Sequence, residues 1–115
     1  MEQKRTLSLL VDNTPGLLSR VAGLFSRRGY NIETITAGVT ADPRYTRMTV
    51  VLYCSDEMIL EQIKKQLAKL VDVRDIKELK PDESVRRELM LVKIRVNENE
   101  RRNVIAISDV FRGRI

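Results

Sequence analysis

The chain has 115 residues, enough for one small domain and part of a second. Apolar residues make up 43% and charged residues 32% with no long apolar run, which excludes a membrane span and wholesale disorder. The net charge of +5 comes from Lys and Arg interspersed with Asp and Glu, the pattern of a solvated surface, and with no Trp and few aromatics it disfavours a base-stacking nucleic-acid reader. There is no His, so the commonest general base and metal ligand are both missing, and no nucleophile motif, phosphate-binding glycine loop or zinc spacing replaces it. The start MEQKRTLSLLV lacks the length and cleavage site of a secretory signal, and Cys54 stands alone, which together point to a reducing, cytoplasmic setting.

In chain order, Thr6 to Val11 alternates with Leu7, Leu9 and Val11 on one side, the mark of a half-buried strand. The turn Asp12-Asn13-Thr14-Pro15-Gly16 follows and leads into a helix. Asn13 is expected as its cap, Pro15 in its first turn, and Gly16 as a residue without a side chain to screen the backbone. Unpaired N–H groups at such a junction suit a small anion such as an amino-acid carboxylate. The same segment also reads as a helix start and nothing more.

Leu17, Leu18, Val21, Ala22, Leu24 and Phe25 gather on one helical face, and Arg28-Gly29 stops the helix. Residues Asn31 to Val39 form a second strand, in which Asn31 could serve only the turn and Gly38 could mark a bulge. Asp42-Pro43 turns the chain into a third strand, Thr46 to Cys54, with Met48, Val50 and Leu52 inward. Ser55 or Asp56 caps a second helix with the stripe Ile59, Leu60, Ile63, Leu67 and Leu70, and Val71 to Leu79 closes a fourth strand. The order over residues 4–79 is therefore βαββαβ, an α+β, ferredoxin-like plan. It has a four-stranded antiparallel sheet with two helices on one face, and the second strand at an edge available for dimerisation.

A polar linker at 80–84 separates this unit from 85–115, which reads as the first strand (Arg87 to Val96) and helix (Ile105, Ile107, Val110, Phe111) of a truncated second ferredoxin-like domain. A polar turn, Asn97 to Glu100, is expected between them. Such a fragment cannot bury its apolar face alone.

The run LSLLVDNTPGLLSRVAGLFSRRGYNIETITAGVTADPRYTRMTVV resembles the amino-terminal ACT domain of the regulatory (small) subunit of acetolactate synthase. The runs ILEQIKKQLAKLVDVRDIKEL, RELMLVKIRV and FRGRI are similar to the same family, and GLFSRRGYNIETIT and RELMLVKI are specific to it. The resemblance implies a non-catalytic subunit that binds the large catalytic subunit, activates it, and confers feedback inhibition by a branched-chain amino acid, usually valine. It implies no cofactor in this chain, with thiamine diphosphate, magnesium and FAD in the catalytic partner. It implies an effector site at Asn13, Thr14, Pro15, Gly16, Leu17 and Leu18, joined across a dimer by Asn31 and Ile32, with Ser19 and Gly38 close by. A nucleic-acid-binding module on the same fold and a ligand-free dimerisation module are the alternatives.

Overall fold

The computed structural model describes residues 3–115. The elements are β1 (Gln3–Asp12), α1 (Leu17–Arg27), β2 (Ile32–Val39), β3 (Tyr45–Cys54), α2 (Glu57–Ala68), β4 (Val73–Glu78) and α3 (Glu98–Val110). The four strands form one antiparallel sheet in the order β2-β3-β1-β4, the ferredoxin-like arrangement with β2 at an edge.

Alternation along the strands decides which face is buried. Leu7, Leu9 and Val11 of β1 and Met48, Val50, Leu52 and Cys54 of β3 point to one side, where they join Val21, Leu24 and Phe25 of α1 and Leu60, Ile63 and Leu67 of α2 in a single core. The helices cover β1, β3 and β4 but not β2, in which every residue after Ile32 is exposed. Ile35, Ala37 and Val39 lie on the helix side of β2, opposite Val50, Met48 and Thr46, and yet Val39 remains 60% exposed. The bulge in β2 falls between Ile32 and Thr34, so Gly38, which pairs regularly with Arg47, does not mark one.

Each helix end has its own physical cause. α1 stops in a Schellman motif: Gly29 has φ 71°, its N–H donates to Ser26 O, and Tyr30 N–H donates to Phe25 O at 3.0 Å. The accompanying contact is the edge of Tyr30 against Phe25, ring centres 6.4 Å apart. Asp56, rather than Ser55, caps α2 by accepting from Met58 N–H at 2.8 Å. Beside it, Arg5 bridges Glu57 at 2.7 Å and Glu78 at 2.8 Å, joining β1 to α2 and β4.

The carboxyl-terminal segment differs from expectation. Residues 87–96 join no ladder among the described residues, and Leu89, Leu91 and Met90 are all at least 79% exposed. An apolar strand needs a partner to satisfy its backbone, and none of the described strands takes that place. Nor is Asn97 to Glu100 a free turn: it is the start of α3, closed by a capping box in which Asn97 Oδ1 accepts from Glu100 N–H and Glu100 Oε2 accepts from Asn97 N–H. Because α3 buries none of its residues, the radius of gyration is 18.5 Å, against about 13 Å for a compact chain of this length.

The core predicts a sharp contrast on α2, where Leu60 is fully buried and Met58 is 70% exposed. Leu60→Ala should lower unfolding free energy in urea by about 2–5 kcal/mol, and Met58→Ala should stay within about 0.5 kcal/mol of the parent.

Candidate functional site

The junction of β1 and α1 departs from the expected capping pattern. Asn13 is not the cap: its N–H donates to Arg44 O and its Nδ2 to Pro43 O, anchoring the turn to the β2–β3 loop. Pro15 lies in the turn ahead of the helix, and the cap position falls to Gly16, at φ 79° and ψ 1°, with no side-chain hydrogen bond to the helix start. That left-handed conformation selects glycine independently of any ligand. Among the described residues, no protein acceptor is within reach of the N–H groups of Gly16, Leu18 and Ser19, and Leu17 N–H meets Thr14 O only at 3.4 Å.

These donors adjoin an open cleft of about 530 Å³ between α1 and the sheet. Asn13, Thr14, Ser19 and Thr46 supply polar lining, and Leu17, Leu18, Ala22, Ala37 and Met48 supply apolar lining. Leu18 was expected on the buried face of α1, but it is 53% exposed because it faces the uncovered β2 side of the sheet. Among the described residues nothing donates to Asn13 Oδ1, so it remains able to accept a hydrogen bond. A helix start with free donors, an amide acceptor and an apolar wall has the chemistry to hold a small zwitterion by both of its charged groups and its side chain.

The structure brings together Asn13, Thr14, Gly16, Leu17, Leu18 and Ser19. It does not bring Asn31 or Ile32 to them within one chain. Asn31 lines a separate recess of about 450 Å³ with Tyr30, Tyr53 and Ser55, and Ile32 packs partly buried against the core. Gly38 lies on the opposite face of β2 from Ala37, and a side chain there would meet nothing within 4 Å.

Charged residues around the turn escaped the sequence reading. Arg20 Nε donates to Asp72 Oδ2 at 2.6 Å, and Asp12 accepts from Arg74 Nε and Nη2 at 2.8 and 2.9 Å. Pairs separated by 52 and 62 residues leave no local signature. Among the described residues there is no group of three or more His, Cys, Asp or Glu able to hold a metal, and no helix long and apolar enough to cross a membrane.

The βαββαβ order, β2 at the edge and a donor-bearing turn after β1 together define an ACT domain. Residues 7–75 match the family described as AHAS small subunit-like ACT domain, and residues 87–115 match that described as small subunit of acetolactate synthase. The acetolactate synthase isozyme 3 small subunit of Salmonella typhimurium is 51% identical over 112 residues, covering 97% of this chain and 68% of the relative. A probable acetolactate synthase small subunit of Methanothermobacter thermautotrophicus is 49% identical over 110 residues, covering 95% and 65%. The crystal structure of the small subunit from Thermotoga maritima aligns with a TM-score of 0.81 at 31% identity, over 98% of this chain and 70% of that one. The chain belongs to the acetolactate synthase small-subunit family, and spans about two thirds of the length of these relatives.

The charge pairs carry a pH dependence. Arg20, through its hydrogen bond, holds the Asp72 carboxyl below the usual carboxylate range, Thr14 adds to this, and partial burial opposes it. A carboxyl with a lowered folded pKa contributes stability that is complete above its unfolded value and is lost as pH falls through the folded one. Stability should therefore fall on acidification below about pH 4, and fall less in Asp72→Asn, as read by urea denaturation at stepped pH. The remaining loss would come from Asp42 and Glu57, whose carboxyls Arg44 and Arg5 hold low in the same way.

Proposed function

We propose that this chain is the regulatory part of an acetolactate synthase, binding a branched-chain amino acid, with valine the leading candidate, in a site completed by a second copy of itself. The observation that carries the reading is the set of unpaired N–H groups at Gly16, Leu18 and Ser19 opening on an apolar cleft whose β2 side is uncovered. The donors take the effector carboxylate, Asn13 Oδ1 accepts from its ammonium group, and Leu17 and Leu18 meet its side chain.

The topology supports the second copy. β1 and β2 run in the same direction on either side of β3, so the turn lies at the Val39 end of β2 and Asn31 at the other. Two β2 edges paired antiparallel about their midpoints would set Ile32 of one chain opposite Val39 of the other. The partner's Asn31 and Ile32 then arrive beside the turn, while Ile35, Val39 and Leu18 gain cover.

The catalytic subunit would hold thiamine diphosphate, magnesium and FAD, and this chain would bind it in the cytoplasm, raise its activity and convey feedback inhibition. Residues 85–115 would belong to a second packing unit, whose formation would cover their exposed apolar residues. The face of the sheet without helices offers little to stack bases: on β1 and β3 it presents Thr6, Ser8, Leu10, Arg47, Thr49 and Val51, with Tyr53 near one end.

Calorimetric titration with valine, leucine and isoleucine tests the site. Gly16→Asp should weaken binding at least about a hundredfold, the loss of two charge-assisted hydrogen bonds at about 1.5–3 kcal/mol each. Its left-handed backbone should also cost stability of about 1–2 kcal/mol, a cost that Gly16→Ala shares without adding charge. Asn31→Ala should weaken binding by about 1–3 kcal/mol. Wild-type affinity in folded Gly16→Asp protein would move the site away from the turn.

The assembly is tested separately. Sedimentation should give a dimer or larger, and the chain should form no acetolactate from pyruvate alone yet stimulate its catalytic subunit. A monomer that still binds effector would refute the shared site.

A further inference from the structure

Asn13 ties the start of the turn to the β2–β3 loop and Thr14 N–H returns to Asp12 O at 3.0 Å, but the donor-bearing residues that follow are poorly held by their own bonds. Gly16 has no side chain, Leu17 N–H reaches Thr14 O only at 3.4 Å, and α1 has no side-chain cap. Backbone donors select an anion only if their directions are fixed before it arrives, so something else must fix this turn.

Arg20, one turn into α1, does so. Its Nε donates to Asp72 Oδ2 at 2.6 Å, its Nη2 to Thr14 Oγ1 at 3.2 Å and its Nη1 to Pro15 O at 3.3 Å. Asp72, in the loop entering β4, accepts from Thr14 Oγ1 at 3.0 Å through Oδ1, and its backbone carbonyl accepts from Asp12 N–H at 2.8 Å. Neither Arg20 nor Asp72 lines the cleft. A planar guanidinium can span these positions at once; a point-charged ammonium cannot.

We propose that Arg20 and Asp72 are positioning residues for the effector, a clamp that holds residues 13–16 so that the Gly16, Leu18 and Ser19 N–H groups face the cleft. The proposal rests on the reading of that cleft as the effector site. By linkage, a ligand that favours the clamped turn must tighten the clamp in return, so occupancy is felt at the loop entering β4 without direct contact. The arrangement also gives Gly16 a second role, because a Cβ added there would lie 3.0 Å from Arg20 Nη1 and press on the clamp.

Arg20→Met, Asp72→Asn and the double variant, made in the whole chain, test this beside Gly16→Asp. In ligand-free protein, hydrogen exchange at the Asp12 and Thr14 amides should quicken at least about tenfold in each clamp variant while Leu9, in the sheet centre, is unchanged. Calorimetry with valine, leucine and isoleucine should show affinity lowered by at least about tenfold in each single variant and no further in the double, as members of one unit behave. Unchanged exchange at Asp12 and Thr14 overturns the clamp, whatever the ligand does. Parental affinity in Asp72→Asn and Arg20→Met, with binding lost in Gly16→Asp, overturns the clamp and leaves the site standing. Parental affinity in Gly16→Asp overturns the site and the clamp's role with it.

Discussion

Two helices packed over three of four strands leave the fourth half-built, and most of what is distinctive in this chain depends on that. β2 is hydrogen-bonded to β3 along one edge and bare along the other, and its helix-side residues Ile35, Ala37 and Val39 have no helix above them. Because α1 lies beside this gap, Leu18 is turned toward open space and a cleft forms between α1 and the sheet. A second chain brought against β2 would satisfy the ladder and the apolar face together, and would close the cleft in doing so. In the proposed dimer, assembly and ligand binding would depend on the same surface.

The three helices solve one problem in two ways. α2 and α3 satisfy their first N–H groups with their own side chains, Asp56 in one and Asn97 with Glu100 in the other. α1 has no such cap, and Gly16 occupies the position where a capping side chain would otherwise sit. A bound carboxylate would do for α1 what Asp56 does for α2. The donors left free among the described residues are in that sense an incomplete cap, which the proposed clamp of Arg20 in α1 and Asp72 in the loop entering β4 would hold in place.

The sheet and both ACT helices were legible because their signals are local. Alternation in β1 and β3, the 3.6-residue stripe of α2 and the Arg28-Gly29 stop all act within a few residues, and each element lies within three residues of where these signals set it. Asn13 misled because its residue type suits a cap, whereas its amide is engaged by the β2–β3 loop, a contact 30 residues away. The strand expected at 87–96 has the right residues and no described partner, since a β pattern states a need for pairing and not its fulfilment. Arg20 and Asp72, 52 residues apart, carry no local signal of their pairing; only the fold brings them together across the turn.

The Schellman motif that ends α1 has a consequence beyond stopping the helix. Tyr30 is locked against Phe25, and the next residue is Asn31, so the direction in which Asn31 leaves the helix is set by a core aromatic. In the proposed pairing, the first turn of α1 would touch one ligand and the residue just past its end would touch the other. Eleven helical residues, about 16 Å of rigid rod, would then be the spacer between two equivalent pockets. The separation of the two pockets would then be set by the length of α1, with the Phe25–Tyr30 contact fixing where Asn31 leaves it.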